Sequence, residues 1–276
     1  MSAWLTATNK LRITRVTSVR TESPTVKTFT FKDRRCAKAK PGQFVMIWIP
    51  GVDEIPISVS DANEADSTVS VTVKKIGEAT RALHDKKVGD VIGVRGPFGN
   101  SFTLNAKKAL IVGGGTGIAP LTFAAKRLSS KRNASKIVSV IGAKNIKELL
   151  FKDELKKACG EENFFATTED GSYGFKGVAS TLAEQLLNKE HFDIVYTCGP
   201  EHMIRKIFEH AEKRGTLVEA SLERIMRCAI GICGSCLVGE YRVCKDGPVF
   251  KTEQLQKIKD ELGFWKRDFD GKKIPF

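Results

Sequence analysis

The sequence predicts a multidomain α+β protein with an antiparallel β-barrel, an α/β parallel-sheet domain and a small cysteine-rich C-terminal domain. Short apolar strands separated by turn residues fill the first hundred residues, and strand and helix alternate from about residue 107. Four of the seven cysteines fall within 17 residues near the C-terminus. A length of 276 residues suits about two domains of roughly 150 residues each.

The pattern of the first region predicts a barrel, because strand patterns recur about every 8–14 residues, as they do in closed antiparallel sheets. The predicted strands are 11–20, 26–32, 43–49, 55–60, 68–76 and 90–95, with one helix at 78–85. The segment Gly-Pro-Phe-Gly-Asn at 96–100 then breaks the chain. We therefore place the first domain at residues 1–100.

The second region begins with the apolar strand Ala109–Val112, followed by a glycine loop and a helix that runs to Leu128. Alternation of strand and helix is typical of a parallel sheet. Further strands are predicted at 136–141, 163–167, 193–197 and 217–220, with helices at 146–158, 178–188 and 201–213. We place this domain at residues 101–220. The third domain, residues 221–276, has a possible hairpin and a lysine-rich helix at 251–262.

The charge of the chain is unevenly distributed. Lys and Arg number 45 against 32 Asp and Glu, and residues 1–40 hold ten basic residues and only two acids. The basic residues alternate with apolar ones, which predicts the solvated face of a sheet or, alternatively, a docking face for an acidic protein. No zinc-finger, RNA-recognition or basic-zipper pattern accompanies them, so we expect no nucleic-acid partner.

Membrane segments and signal sequences are not predicted. The longest apolar stretch, 109–125, contains five glycines or prolines and is shorter than the roughly 20 residues of a membrane helix. The N-terminus has no apolar core of signal-peptide length. We expect a cytoplasmic protein without a membrane partner.

The cysteine cluster is the most informative motif. Cys228, Cys233, Cys236 and Cys244 follow the spacing C-x4-C-x2-C-x7-C, which is typical of plant-type [2Fe–2S] sites. Glycines at 231 and 234 permit the backbone to fold inward around the thiolates. A four-cysteine zinc site, which usually pairs two shorter knuckles, and free thiols or disulfides are the alternatives.

A glycine loop follows the first strand of the α/β region. Gly113, Gly115, Thr116 and Gly117 open a helix, where a pyrophosphate can approach the backbone, although Pro120 stands where the G-x-G-x-x-G motif has its third glycine. A tight structural turn is the alternative interpretation.

A second segment, Cys198, Gly199 and Pro200, ends another strand on the same predicted edge. A small residue there leaves room for a nicotinamide ring, and the alternative for Cys198 is a buried small side chain. No acid follows the second strand to bind a ribose hydroxyl, and Lys144 there suits either a 2′-phosphate or solvent. We expect NAD and leave NADP open.

Five motifs, taken in their order along the chain, resemble those of the ferredoxin–NADP reductase superfamily. They are Ile-Pro-Ile-Ser (55–58), Lys-Ile-Gly-Glu-Ala-Thr (75–80), Gly-Pro-Phe-Gly-Asn (96–100), Gly-Gly-Gly-Thr-Gly-Ile-Ala-Pro (113–120) and Cys-Gly-Pro (198–200). With its cysteine motif placed after the nucleotide domain, the whole chain is similar to the electron-transfer subunits of dihydroorotate dehydrogenase B.

The resemblance implies FAD bound by the barrel. The segments that match are Ile55, Pro56, Ile57 and Ser58, then Thr72, Val73 and Lys74, then Ala79 and Thr80. Two positions depart from the family pattern, because Ile55 stands where the family has an arginine for the flavin phosphates and Ala79 replaces a glycine. Lys74 or Arg81 is expected to supply the missing charge.

The resemblance also implies an oxidoreductase subunit that passes electrons between a partner dehydrogenase and NAD. A flavin exchanges either one or two electrons, so it can connect a hydride carrier with an iron–sulfur cluster. The implied partner is an FMN-containing catalytic subunit that oxidises dihydroorotate in pyrimidine biosynthesis, in a heterotetramer. The alternatives are the small subunit of a ferredoxin:NADP oxidoreductase, sulfide dehydrogenase or hydrogenase diaphorase, and a non-enzymatic redox sensor. No acid–base catalytic residue is predicted.

Overall fold

The first region of the chain is a closed six-stranded barrel with the strand order β1-β2-β5-β4-β3-β6, and all pairs are antiparallel. The structure is a computed structural model that describes residues 3–131 and 136–276. The strands are β1 Arg12–Ser23, β2 Val26–Lys32, β3 Phe44–Ile49, β4 Asp53–Asn63, β5 Thr68–Lys74 and β6 Val91–Phe98, with helices α1 Ala3–Asn9 and α2 Glu78–His84. The predicted barrel is confirmed, whereas α1 was not predicted.

The second region is a parallel sheet with helices on both faces. Its elements are β7 Lys108–Gly114, α3 Ile118–Ser129, β8 Lys136–Ala143, α4 Lys152–Cys159, β9 Phe164–Thr168, β10 Phe175–Lys176, α5 Ala179–Lys189, β11 Ile194–Cys198, α6 Glu201–Lys213 and β12 Leu217–Ser221. The strands from β7 to β12 run parallel in the order β10-β9-β8-β7-β11-β12. The prediction of a parallel α/β unit is confirmed.

The C-terminal region is made of short elements. They are β13 Leu237–Val238, β14 Tyr241–Arg242, α7 Val243–Asp246, β15 Val249–Lys251, α8 Thr252–Lys257, β16 Trp265–Arg267 and β17 Lys273–Pro275. Strand β15 pairs antiparallel with β12 and so extends the sheet of the second region. The predicted domain boundaries at 100/101 and 220/221 stay predictions, and residue 220 itself lies within β12.

Two predicted helices are shorter in the structure. The helix predicted at 146–158 begins at Lys152, because Leu149 and Leu150 both turn into the core and Phe151 takes a left-handed backbone with φ of 57°. The helix predicted at 251–262 ends at Lys257, where the chain turns so that Ile258 and Leu262 are buried. In both places the burial of apolar side chains overrides a helical pattern.

The barrel and the parallel sheet share packed side chains through helix α3. Phe123 of α3 is fully buried within the barrel core. Further along the same helix, Lys126 lies 3.0 Å from a carboxylate oxygen of Asp61, and Arg127 donates to the carbonyl oxygen of Ala62 at 2.7 Å. These contacts to β4 hold helix α3 against the barrel, and the glycine loop lies directly before its N-terminus.

Within the described residues, no helix is long and apolar enough to cross a membrane.

Asp33 ties three parts of the barrel together. Its carboxylate accepts from Nε of Arg12 at 2.7 Å and from the backbone N–H of Cys36 at 2.8 Å, while Arg12 Nη2 also donates to the carbonyl oxygen of Gly96 at 3.0 Å. Burial disfavours the charged carboxylate, but these bonds from Arg12 and Cys36 lower the pKa of Asp33 below its ordinary value. The charged form therefore stabilises the fold at neutral pH, and this contribution is lost as the pH falls below about 4.

We predict that Asp33→Asn lowers the free energy of unfolding by about 1–3 kcal/mol at pH 7, because a charged hydrogen-bonding partner of Arg12 is removed. The difference from the unsubstituted protein should shrink at pH 3. Denaturant unfolding at both pH values measures it, with Asp66→Asn in the exposed β4–β5 turn as the control. Equal destabilisation by the two substitutions would contradict the assignment.

Candidate functional site

A cavity of about 240 Å³ lies where the three regions of the chain meet, and we call it the central cavity. The barrel contributes seven of the predicted flavin residues to its lining: Pro56, Ile57, Ser58, Thr72, Val73, Lys74 and Thr80. The second region contributes Thr116 and Gly117, and the C-terminal segment contributes Leu222–Arg224 and Met226. The structure thus brings together motifs that lie more than 160 residues apart in the sequence.

Two predicted flavin residues do not line the central cavity. Ile55 and Ala79 are partly buried side chains that pack against the core of the barrel. The hydroxyl of Thr80, which does line the cavity, accepts from the backbone N–H groups of Ile76 and Gly77 at 2.9 Å each and so caps α2. Its position is therefore fixed by the local turn.

Of the two cations expected to replace the family's arginine, only Lys74 lines the central cavity. Its Nζ lies 3.9 Å from a carboxylate oxygen of Glu148, and its side chain is about one-third exposed. Arg81 instead donates to the carbonyl oxygen of Ile76 at 3.3 Å. The geometry therefore favours Lys74 over Arg81.

A second cavity, of about 300 Å³, lies at the carboxyl edge of the parallel sheet, and we call it the edge cavity. Gly114 and Gly115 of the predicted loop line it together with Pro200. Gly115 has φ of 54°, and nothing lies within 4 Å of the place that a side chain would occupy. The loop therefore leaves open space next to its backbone, as an incoming phosphate requires.

Gly117 is needed for a different reason, because it packs against the loop that follows β11. A Cβ atom there would lie 2.5 Å from the carbonyl oxygen of Cys198 and 2.6 Å from the nitrogen of Gly199. Gly113 likewise has no space for a side chain, because a Cβ atom there would lie 2.5 Å from Cδ1 of Ile118.

Cys198 is buried at the end of β11. Its thiol interacts with Ser221, and burial raises its pKa. Gly113, Cys198 and Gly199 shape the site without lining either cavity.

The edge cavity contains an acid that was not predicted. An acid that binds the ribose was expected after the second strand of the α/β region, whereas Glu169 follows the third strand, β9, and lines the cavity beside Lys144. The carboxylate of the neighbouring Asp170 already has hydrogen-bond partners, because it accepts from the backbone N–H and the hydroxyl of Ser172. Knowledge of which strands are adjacent to β7 is needed to find Glu169, and the sequence order alone does not supply it.

The four clustered cysteines form two pairs of interacting thiols, Cys228 with Cys233 and Cys236 with Cys244. The backbone N–H of Ile232 donates to the sulfur of Cys228 at 3.4 Å, and that of Cys244 donates to the sulfur of Cys236 at 3.4 Å. In the described part of the chain, no three His, Cys, Asp or Glu side chains are grouped to hold a metal ion. Two thiol pairs fit a two-iron cluster, because four cysteine thiolates are shared between its irons.

The cysteine loop lowers the pKa of two of its thiols, Cys233 and Cys236, and raises the pKa of Cys244. Burial alone would raise the pKa of Cys233, but hydrogen bonds with Ser235 and Cys228 lower it to about 6. A hydrogen bond with Cys244 lowers the pKa of Cys236 to about 7 against the effect of burial. Because metals bind the thiolate and not the thiol, one member of each pair is prepared to act as a ligand.

Two family models match the chain. The iron–sulfur cluster binding domain of dihydroorotate dehydrogenase B matches residues 223–256, and the oxidoreductase NAD-binding domain matches residues 111–209. A probable dihydroorotate dehydrogenase B (NAD+) electron transfer subunit from Methanocaldococcus jannaschii is 44% identical, over 95% of this chain and 97% of that protein. Its counterpart from Methanothermobacter thermautotrophicus is 38% identical over 92% and 94%. This chain belongs to the dihydroorotate dehydrogenase B electron-transfer subunit family.

Solved structures agree with this fold. The structure of an NADH-dependent reduced ferredoxin–NADP oxidoreductase is 30% identical, with a TM-score of 0.78 over 91% of this chain and 94% of that one. The cytochrome b5 reductase domain of Ulva prolifera nitrate reductase shares the fold, with a TM-score of 0.62 over 75% of this chain and 94% of that one, at 19% identity. The predicted fold class, the resemblance and the set of cofactors, FAD, an iron–sulfur cluster and NAD, are confirmed.

We predict that Gly117→Ala weakens NAD binding about tenfold or more, because the new methyl group forces the two loops at the sheet edge apart. Iron content should not change, since the cysteine loop is elsewhere. Calorimetric titration of the purified protein with NAD measures the effect. Gly51→Ala is the control for a general loss of stability, because its left-handed backbone (φ 77°) strains the new side chain while nothing lies within 4 Å of the added atom. Unchanged NAD affinity would show that the contact between the loops does not shape the nucleotide site.

Proposed function

We propose that this chain passes electrons between a catalytic partner that oxidises dihydroorotate and NAD, by way of a [2Fe–2S] cluster and FAD. The proposal rests on one observation. The barrel's flavin segments, the nucleotide loop and the segment that leads to the cluster cysteines all line the central cavity. Met226 of that segment lines the cavity and lies two residues before Cys228.

FAD would occupy the central cavity. Pro56, Ile57 and Ser58 on β4 and Thr72–Lys74 on the neighbouring β5 supply the barrel wall, and Lys74 supplies a cation where the family's arginine is replaced by Ile55. Ala79 stays an expectation from the resemblance, because it packs on the barrel core. When bound, FAD supplies the exchange of either one or two electrons that connects a hydride carrier with a cluster.

NAD would lie along the carboxyl edge of the sheet, with its pyrophosphate against Gly115. The loop residues 113–117 separate the two cavities, since Gly114 and Gly115 line the edge cavity while Thr116 and Gly117 line the central cavity. The nicotinamide end of the nucleotide can therefore reach the flavin past Thr116. Pro200 lines the edge cavity just after β11, while Cys198 and Gly199 pack behind it against Gly117.

Glu169 supports NAD over NADP. Its carboxylate lines the edge cavity and has no hydrogen-bond or ion-pair partner among the residues that the structure describes. A free carboxylate accepts from the two ribose hydroxyls and repels a 2′-phosphate. Lys144 beside it would interact with the phosphates or with solvent.

The four thiolates of Cys228, Cys233, Cys236 and Cys244 would hold the [2Fe–2S] cluster, whose chemistry is one-electron transfer. Cys233 is exposed, and its neighbour Ile232 is 72% exposed at the tip of the loop. An exposed apolar tip beside two thiols suits contact with another protein. We propose the FMN-containing catalytic subunit as that partner, in a heterotetramer of two copies of each chain in the cytoplasm.

A second candidate function rests on the reduced ferredoxin–NADP oxidoreductase structure, which covers nearly the whole chain. In that function the partner differs, while the use of FAD, NAD and the cluster by this chain stays the same. Co-purification from the native cell identifies the partner and separates the two candidates.

We predict that Cys233→Ser removes or damages the cluster but leaves FAD bound. Reduction of FAD by NADH should survive, because it needs only the central and edge cavities. Electron flow to or from the partner's substrate should fall to background, because no other one-electron carrier is evident in the sequence. Stopped-flow flavin reduction and steady-state turnover with the partner measure the two activities.

Cys159→Ser is the matched control, since this thiol lies at the end of α4, outside the cysteine loop, and should leave both activities intact. Full coupled turnover by a Cys233→Ser protein that lacks iron would show that the cluster is structural and the proposed electron path is wrong.

A further inference from the structure

Arg224 is a buried guanidinium on the wall of the central cavity. Its side chain is only 2% exposed, and its ion-pair partner Glu201 is 4% exposed. Nη1 donates to Oε1 of Glu201 and also to the carbonyl oxygen of Glu223 at 2.7 Å, and Nη2 donates to Oε2 of Glu201 at 3.2 Å. The terminal nitrogens are therefore occupied by the protein.

The Nε–H group of Arg224 is different. It is fully buried and has no hydrogen-bond partner among the described residues. Burial also lowers the pKa of Arg224 to about 10. A buried donor on a charged group is costly when it stays unpaired, so native structures supply an acceptor for it.

The neighbours of Arg224 indicate what that acceptor is. On its side the cavity is lined by the apolar residues Phe44, Leu222, Met226 and Pro248 and by the adjacent acid Glu223, whereas hydroxyls and Lys74 lie on the strands β4 and β5. A mostly apolar wall with a few polar groups suits a flat ring system that carries acceptor and donor atoms on its edge. The phosphate groups of FAD suit the polar part of the cavity, near Lys74.

We propose that Arg224 is an FAD-binding residue whose Nε–H donates to an acceptor atom on the edge of the flavin ring, and that Glu201 holds it in place. This inference rests on the proposed occupation of the central cavity by FAD. A guanidinium in contact with the ring also stabilises the negative charge that the ring gains on reduction.

The position of Glu201 gives the pair a second role. Glu201 is the first residue of α6, directly after Cys198–Pro200, and its Oε2 also accepts from the backbone N–H of Gly263 at 3.1 Å. The pair thus links the nucleotide edge, the flavin cavity and the C-terminal segment. Glu201 is a positioning residue, because it acts on FAD only through Arg224.

The test replaces Arg224 by Lys in the full-length chain. Lysine keeps a positive charge opposite Glu201 but has no N–H group at the position of the arginine Nε. Flavin is removed from the purified protein, and FAD is titrated back while the quenching of its fluorescence is followed. Arg20→Lys is the matched control, because Arg20 is ion-paired with Glu22 at 2.7 Å and does not line the cavity.

We expect the FAD dissociation constant of Arg224→Lys to rise about fivefold or more above that of the Arg20→Lys control. The visible spectrum of the bound flavin should shift as well, which a purely structural loss would not cause. A rise of less than fivefold with an unchanged spectrum would overturn the proposal. If Arg224→Lys does not fold, the double variant Glu201→Gln with Arg224→Gln, which leaves no buried charge unpaired, gives the same comparison.

The double variant also tests the charge. Its bound flavin should have a lower midpoint potential than that of the unsubstituted protein, because the variant removes a cation on the cavity wall together with an anion, Glu201, that does not line the cavity. An unchanged or higher potential would overturn the role of Arg224 in stabilising the reduced ring. An unsubstituted chain that takes up no FAD would instead contradict the proposed function, so the two failures are distinguishable.

Discussion

The close approach of two loops at the carboxyl edge of the parallel sheet is the constraint on which the rest of the structure depends. Gly117 lies against the backbone of Cys198 and Gly199 with no space for a side chain. The loop that makes this contact lines both cavities, the central cavity through Thr116 and Gly117 and the edge cavity through Gly114 and Gly115. Two ligands on its two sides are then neighbours, which direct hydride transfer between them requires.

The other regions are fixed relative to this contact by buried interactions. Phe123 of α3 enters the barrel core and brings β4 and β5 to the same loops. On the opposite side, the buried Arg224–Glu201 pair and strand β15 attach the C-terminal region to the sheet. The cysteine loop is therefore not an independent appendage, because the chain that leads to it forms part of the cavity wall.

Much of the fold follows from local patterns. The barrel strands and the βα alternation are predictable because turn residues and apolar periodicity mark them clearly, and the cysteine spacing specifies its own chemistry. The three-residue strand β15 and the break at Phe151 were not predictable, because tertiary packing decides them. The sites were partly predictable, since Pro56–Ser58 and Thr72–Lys74 do line one cavity. Glu169 and Arg224 were missed because their roles depend on strand order and on burial.

The central claim is that electrons pass within one chain between a nicotinamide nucleotide, a flavin and a two-iron cluster. The most direct measurement is an anaerobic titration of the purified chain with NADH, followed by visible absorbance and by low-temperature electron paramagnetic resonance, with iron, zinc and FAD contents determined on the same sample. We expect one FAD and two irons per chain, bleaching of the flavin, and a resonance signal from a cluster reduced by one electron. A protein that contains zinc instead of iron, or a flavin that bleaches while an intact cluster stays oxidised, would contradict it.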